Sequence, residues 1–566
     1  MEKVWLKQYP VGVAVEIDCT QYASLVALLD VAFSKYATRS AITCMGKSLT
    51  FAQLDMYSRH IAAWLQAQGL QPGARVALMM PNILPYPLWI AAILRAGYVV
   101  VNINPLYTAR ELEHQLIDSG AEVIVVLENF AAVFQKVVAR TQVKHIVVLS
   151  MGDMLGKAKG ALVNFVVRKV KKMVPSWSLP GALTLAQVLR LGGGGVFKKA
   201  KLTHSDIAFL QYTGGTTGVA KGAALTHRNL IANVLQLETW MQPALRKQLA
   251  IAQIVSIGVL PLYHIFGLTV SCLLSFHLGG LSVLIPNPRD IPGLIKVLAS
   301  RSFHMSPAVN TLYGALINHP DARKIDFSNL KVSVAGGMAV QEVVAKKWLS
   351  LTGCPIIEGY GLSETSPVAT CNLDEGGFTG TIGLPMPSTE VVIRGVDGAD
   401  LPYGEIGEIC IRGPQVMQGY WQQPAETAAV MTQDGYFKSG DMGVMDSRGY
   451  IKLAERKKDI IIVSGFNVYP SEVENIVASH PGVLEVAAVG TPDAHSGEVV
   501  KIFVVRKDAN LSEADLIAYC RENLTAYKCP KQVVFCDQLP KSTVGKILRR
   551  VLRNPEELAQ AVAAAS

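Results

Sequence analysis

Through the first two hundred residues, short apolar runs alternate with stretches of helical period, and this alternation restricts the fold more than any other feature. Arg75-Val-Ala-Leu-Met-Met and Tyr98-Val-Val-Val-Asn-Ile read as buried strands, while Leu49 to Gln68 has helical spacing with Gly69 as its stop. Thr108 and Glu111 stand at capping-box spacing, which predicts a helix from Thr108 that ends near Gly120, before the strand Glu122-Val-Ile-Val-Val-Leu. Such alternation implies an α/β fold with mostly parallel sheets covered by helices on both faces.

At 566 residues the chain exceeds one ordinary domain. Residues 386–455 hold shorter, turn-rich runs such as Gly407-Glu-Ile-Cys-Ile-Arg, which predict a small β-subdomain. Glu455-Arg456-Lys457-Lys458-Asp459 is a charged break and the expected boundary. It divides a large domain, 1–455, from a small α+β domain, 456–566. In the latter, Pro470-Ser-Glu-Val-Glu-Asn-Ile-Val starts a helix, and Glu485-Val-Ala-Ala-Val-Gly and Val500-Lys-Ile-Phe-Val-Val form strands.

Chemistry concentrates first in residues 212–222, where four glycines, three threonines and Lys221 follow the apolar run Ile207-Ala-Phe-Leu. A strand entering such a turn brings backbone N–H groups close to a phosphate, because glycine has no Cβ in the way. The hydroxyls of Thr213, Thr216 and Thr217 add donors, and Lys221 adds a mobile point charge among Gly214, Gly215 and Gly218. This is not a Walker A loop, since Ala220 precedes the lysine and Gly222 follows it. The alternative is a flexible linker, but a linker needs no lysine and rarely separates apolar runs.

Further signals follow in order. His264, in Leu260-Pro-Leu-Tyr-His-Ile-Phe-Gly, is either a satisfied core residue or, on a turn set by Pro261 and Gly267, a residue facing a pocket. Ser333-Val-Ala335-Gly336-Gly337 is a strand ending in small residues that admit a ligand to the backbone. In Glu358-Gly359-Tyr360-Gly361-Leu362-Ser363-Glu364-Thr365, the aromatic can stack on a base, the hydroxyls can reach a phosphate, and Glu364 can hold Mg²⁺. Asp441, after Ser439-Gly440, can grip a ribose diol, and Lys541-Ser-Thr-Val-Gly-Lys546 is a basic loop entering a helix.

The net charge of +9 favours anionic partners, but no nucleic-acid module is present. Nine scattered cysteines, without C-x-x-C or zinc spacing and without an export signal, read as reduced thiols of a cytoplasmic protein. No charged residue lies between Lys247 and Arg289, a span longer than the roughly 20 residues of a transmembrane helix. Its interruptions by Pro261, Gly267, Gly279 and Gly280 favour a buried strand–loop–helix–strand segment instead. Lys157 to Val174 interleaves Lys157, Lys159, Arg168, Lys169, Lys171 and Lys172 with apolar residues. It is either a basic helix lying on an anionic membrane face or a solvated helix packed on its own domain.

The glycine/threonine loop, Tyr360 to Thr365, Ser439-Gly-Asp441, Arg456-Lys-Lys-Asp and Pro540-Lys-Ser-Thr-Val-Gly-Lys546 occur in one order along the chain. Together they resemble the adenylate-forming superfamily over essentially its whole length. Within it, Asn102-Ile-Asn-Pro-Leu-Tyr-Thr, Thr226-His-Arg-Asn, Asn287-Pro-Arg-Asp-Ile-Pro-Gly-Leu and Val463-Ser-Gly-Phe-Asn-Val-Tyr-Pro resemble bacterial long-chain fatty acyl-CoA synthetases of fatty-acid degradation.

The resemblance implies that a fatty acid is activated by Mg-ATP to an acyl-adenylate, which coenzyme A then converts to a thioester. It implies catalytic roles for Lys546, Glu364, Thr213 and His264, with Glu364 and Thr213 as Mg²⁺ ligands. The nucleotide would be held by Thr213, Gly214, Gly215, Thr216, Thr217, Gly218 and Lys221, by Gly336, Gly337, Tyr360, Gly361 and Ser363, and by Asp441 and Arg456. Ser464, Gly465 and Phe466 would help form the coenzyme A tunnel after the C-terminal domain swings about a hinge near Lys458. Peripheral contact with the inner membrane surface and a homodimer are compatible with it. The stretch Asp434-Gly-Tyr-Phe-Lys-Ser-Gly-Asp-Met-Gly departs from the fatty-acyl pattern at Tyr436, Phe437, Lys438, Ser439 and Met442, which bears on chain-length preference rather than on adenylation. An aryl- or medium-chain CoA ligase, or a fatty acyl-AMP ligase, is the rival reading.

Overall fold

The predicted alternation resolves into two large sheets with parallel centres and antiparallel edges. In this computed structural model, residues 2–213, 220–246, 251–374, 377–456, 459–464, 466–493, 496–542, 545–554 and 557 are described. The first sheet has nine strands, in spatial order Leu384–Pro385, Val368–Cys371, Ile356–Gly361, Val332–Ala335, Met305–Ala308, Val255–Gly258, Leu281–Leu284, Ser40–Cys44 and Lys47–Thr50. All neighbours from Ile356–Gly361 to Ser40–Cys44 are parallel. The second has eight, in order Gly419–Tyr420, Lys221–Thr226, Ile207–Thr213, Val99–Asn102, Arg75–Met79, Val123–Leu127, His145–Leu149 and Leu183–Thr184.

Local signals behave as read. Thr108 caps the helix Ala109–Ser119 in a capping box with Glu111, and Gly120 ends it at φ 60°, a left-handed conformation that suits glycine. Thr50 and Gln53 form a second box on the helix Phe51–Gln66. The uncharged span after Lys247 folds as the strand Val255–Gly258, a turn, a π-helical stretch Gly267–Leu273 continuing as Leu274–His277, and the strand Leu281–Leu284. Among the described residues, no helix is long and apolar enough to cross a membrane.

A four-stranded antiparallel sheet, Glu390–Arg394, Gly407–Arg412, Phe437–Met445 and Ile451–Arg456, occupies most of the range expected for a β-subdomain. Gly419–Tyr420 leaves that range to pair with Ala223 and Ala224 in the second large sheet. After Asp459, the hairpin Val483–Asp493 and Gly497–Arg506 is flanked by the strands Ile461–Val463 and Gln532–Phe535 and by the helices Pro470–Ser479 and Glu513–Asn523. The largest buried apolar cluster runs from Trp5 to Ile451, whereas two others draw only on Ile461 to Leu552. Separate cores of this kind are what independently packed units require. The two parts touch where Ser471 Oγ donates to the Ala454 carbonyl at 3.2 Å, and where Glu342–Thr352 packs on Pro470–Ser479.

Candidate functional site

Parallel sheets present loops at the C-terminal ends of their strands, and those loops are where α/β sites form. Three such loops of the nine-stranded sheet carry residues marked by the sequence, and a fourth carries Thr311. Val255–Gly258 leads to His264, Met305–Ala308 to Thr311, Val332–Ala335 to Gly336 and Gly337, and Ile356–Gly361 to Ser363 and Glu364. The glycines are needed there. A Cβ on Gly336 would lie 3.0 Å from the Gly359 carbonyl oxygen and 3.1 Å from the Phe266 ring, and one on Gly361 would collide with the Pro367 carbonyl. Gly337 adopts φ +79°.

Two buried carboxylates face this region. Asp441, 3% exposed, accepts the Tyr360 hydroxyl at Oδ2 (2.7 Å), so two residues from separate motifs meet. Arg456 pairs with Asp441 through the strand backbone; its side chain lies outside the described residues. Glu364, 7% exposed, accepts the Tyr420 hydroxyl at Oε1 (2.8 Å), and its carbonyl accepts from Met417 N. Burial and the Glu364 carboxylate push the Tyr420 hydroxyl far above its ordinary acidity range, so it stays a donor.

Thr213 and Lys221 are paired in register across an antiparallel hairpin, which places Thr213 at the mouth of the loop. Gly214, Gly215, Thr216, Thr217 and Gly218 lie outside the described residues. Lys221 is not the mobile charge expected from composition. Its ammonium pairs with Glu426 and sits 5.5 Å from the Tyr420 ring centre. The cation is held because Gly419–Tyr420 joins this sheet and brings Glu426 with it.

His264 lies on the turn between the strand Val255–Gly258 and the π-helical stretch Gly267–Leu273, where its backbone N–H donates to the Pro261 carbonyl at 3.0 Å. Its Nδ1 accepts from Phe266 N at 3.3 Å, which leaves Nε2 to carry the proton of the neutral ring. Burial, and then the field of Lys546, push its pKa down to about 4. Lys546 follows Gly545, whose carbonyl accepts from Thr311 Oγ1 at 3.3 Å, so the far end of the chain is seated on the loop after Met305–Ala308. Its loop is closed by Ser542 N donating to the Lys546 carbonyl at 2.7 Å and by Lys546 N donating to Ser542 Oγ at 3.1 Å.

A small cavity of about 40 Å³ is bordered by Val334, Ile357, Cys371, Trp240, Met241 and Pro10. Val334 pairs with Ile357, and strand alternation puts Val334 and Gly336 on one face of the sheet, as it does Ile357 and Gly359. Glu358 lies one residue away on the opposite face. Its buried Oε1 accepts from Val340 N at 3.2 Å, and burial raises its pKa to about 8.

Ser464 and Phe466 make their described contacts within the C-terminal part. Ser464 N donates to the Ser496 carbonyl at 2.7 Å, and Phe466 stacks on Tyr527 at 5.0 Å. Gly465 and Lys458 lie outside the described residues.

Tyr420, Glu426 and Thr311 were not marked by sequence. Each meets its partner only through the fold, and none sits in a recognisable local pattern.

No group of three or more His, Cys, Asp or Glu side chains that could hold a metal occurs among the described residues. The buried Glu364 carboxylate and the Thr213 hydroxyl are both hard oxygen donors. Such donors suit Mg²⁺, which keeps waters and takes its remaining ligands from substrate phosphates.

Comparison with known proteins bears on the family of the chain. Residues 29–421 match the AMP-binding enzyme family, and residues 472–546 match the AMP-binding enzyme C-terminal domain. The chain is 52% identical over 558 residues to a long-chain-fatty-acid–CoA ligase of Escherichia coli O6:H1, covering 98% of each. It is 38% identical over 560 residues to a long-chain-fatty-acid–CoA ligase of Bacillus subtilis, again covering 98% of each. Among solved structures, ATP-bound MatB from Rhodopseudomonas palustris superposes with a TM-score of 0.80 at 30% identity, over 94% of this chain and 98% of that one.

Proposed function

This chain belongs to the family of AMP-binding enzymes, and from that premise we propose that it is a long-chain-fatty-acid–CoA ligase. In the first half-reaction a fatty carboxylate oxygen attacks the α-phosphorus of ATP. The bond to the pyrophosphate bridging oxygen breaks, leaving acyl-adenylate and pyrophosphate. In the second, the coenzyme A sulfur loses its proton and attacks the acyl carbon, and AMP leaves.

The observation that carries this reading is the seating of the Lys546 loop on the large domain, where Thr311 Oγ1 donates to the Gly545 carbonyl at 3.3 Å. The first step brings two anions together, and a cation placed between them removes most of that repulsion. Lys546 supplies it, bridging the substrate carboxylate and the α-phosphate. Neutral His264 closes the carboxylate end of the acyl site without adding a second charge. Gly336 and Gly337 form its wall, and the cavity beyond Val334 takes part of the apolar chain.

Tyr360 and Asp441 hold the adenosine, Asp441 through the ribose hydroxyls together with Arg456. The glycine/threonine loop from Thr213 to Lys221, with Ser363, cradles the phosphates. Thr213 and Glu364 hold Mg²⁺, which neutralises phosphate charge when bound. Residues 1–455 and 456–566 act as two domains joined by a hinge near Lys458. After adenylation the smaller one turns, Lys546 withdraws, and Ser464, Gly465 and Phe466 come forward to the coenzyme A path.

Contact with an anionic membrane face is favoured by one surface. Along the helix Lys157–Phe165 and its π-helical continuation Val166–Val170, Leu162, Phe165 and Val170 are 63%, 57% and 64% exposed beside Lys157, Lys169 and Lys171. Exposed apolar side chains flanked by lysines are the composition of an interfacial helix. An enzyme working next to the membrane on the cytoplasmic side would meet its substrate there.

Fatty-acid-dependent exchange between pyrophosphate and ATP tests the activity. Exchange that requires palmitate and Mg²⁺ supports it, and absence of exchange with every carboxylic acid tried contradicts it.

A further inference from the structure

The lysine loop does not simply hang over the site; it is seated in a shaped notch. Gly545, immediately before Lys546, adopts φ +79°, and a Cβ there would lie 2.9 Å from Thr311 Oγ1 and 3.0 Å from Val309 Cγ2. Thr311 Oγ1 donates to the Gly545 carbonyl at 3.3 Å. Both the backbone conformation and the closeness of fit therefore exclude a side chain at this position.

The notch is itself held rigid. Asn310, buried between Val309 and Thr311, accepts from Gln341 N at Oδ1 (3.1 Å) and donates from Nδ2 to Gln341 Oε1 at 3.4 Å. The residue before Gln341 is Val340, whose N–H is held by Glu358. The strand end at Ala308 and the glycine wall at Gly336–Gly337 are thus tied to one another through residues 309–311 and 340–341. That tied element is what the lysine loop rests on.

We infer that Val309 and Thr311 form a docking notch for Gly545 that positions Lys546 for the first half-reaction alone. The inference rests on the ligase reading above. Thr311 touches no substrate group in this account; it acts through the loop, as a positioning residue. The loop is closed on itself by Ser542, and a shift at Gly545 passes directly to the neighbouring lysine. A misplacement of about 1 Å in a charge-positioning group costs on the order of a hundredfold in rate. Because Lys546 leaves before coenzyme A attacks, filling the notch leaves the second step untouched.

The experiment compares the two half-reactions in Thr311→Phe, which fills the notch from the large domain, and Gly545→Ala, which fills it from the loop. Palmitate-dependent pyrophosphate–ATP exchange reads the first step, and conversion of synthetic palmitoyl-adenylate to palmitoyl-CoA reads the second. The inference predicts that exchange falls on the order of a hundredfold in both variants. The second step keeps its wild-type rate, and Thr311→Ser restores exchange. Unchanged exchange in Thr311→Phe overturns the inference, and so does equal loss of both steps. Absence of exchange in the unmodified protein would instead sink the ligase reading itself.

Discussion

The hydroxyl of Tyr420 donates to Oε1 of Glu364 at 2.8 Å, joining a two-residue edge strand of one large sheet to the loop that closes the other. On the proposed assignment of Glu364 to Mg²⁺, Tyr420 stands where an outer partner orients a metal ligand. Tyr420→Phe keeps the ring under Lys221 and removes only this bond. It is expected to raise the Mg²⁺ concentration needed for half-maximal pyrophosphate exchange by about tenfold. A magnesium titration of the variant checks this; an unaltered curve would show that Glu364 is oriented by something else.

Glu358 gives a pH-dependent stability of definite sign. Its folded-state pKa is raised by burial to about 8, so at neutral pH the native protein keeps a proton that the unfolded chain has lost. Between the ordinary carboxyl range and pH about 8, stability falls as pH rises, by at most about 1.4 kcal/mol per pH unit. Glu358→Gln retains an acceptor for Val340 N without the ionisation. Its denaturation midpoint is expected to decline less than that of the wild type over this window; parallel declines would place the titration elsewhere.

On the proposed path of the acyl chain, the cavity bordered by Val334 and Ile357 predicts a change in chain-length preference. Ile357→Trp adds bulk to its lining, where Val334 is the paired neighbour. Overpacking of this kind costs about 1–3 kcal/mol of stability. Turnover of palmitate is expected to fall on the order of tenfold relative to octanoate, since loss of about 1.4 kcal/mol of acyl burial has that effect. An unchanged palmitate-to-octanoate ratio in the folded variant would remove this cavity from the acyl path.

The exposed face at Leu162 and Phe165 predicts lipid binding that is separable from catalysis. Replacing both by Asp removes two apolar anchors, each worth on the order of 1.5 kcal/mol or more if buried. Co-sedimentation with vesicles containing phosphatidylglycerol should fall by at least about tenfold, while turnover of soluble octanoate is unchanged. Equal sedimentation of variant and wild type would show that this helix lies free in solvent.

Much of this architecture was legible in the chain because its signals are local. A Thr and a Glu three apart cap the helix at 109–119. Prolines and glycines broke the uncharged span after Lys247 into a strand, a turn and a helix, and the small residues after Ala335 marked a close approach to the Gly359 backbone. Tyr360 and Asp441 were each read from their own motif, but the bond between them was not, because nothing local encodes contact across 81 residues. Tyr420 left no signal at all. A two-residue strand has no period to detect, and its bond to Glu364 spans 56 residues. The same holds for Thr311, which meets Gly545 across 234 residues, and for Glu426, which turns Lys221 from a mobile cation into a fixed one. Motifs report which side chains are present, and sheet order decides which of them meet.

Product analysis by mass spectrometry tests the central claim most directly. The purified protein would be given Mg-ATP with palmitate, octanoate and benzoate together, with and without coenzyme A. The account predicts palmitoyl-CoA as the dominant thioester when coenzyme A is present, and palmitoyl-adenylate bound to the protein when it is absent. Adenylate that never proceeds to thioester, or thioesters of benzoate or octanoate in place of palmitate, would contradict it.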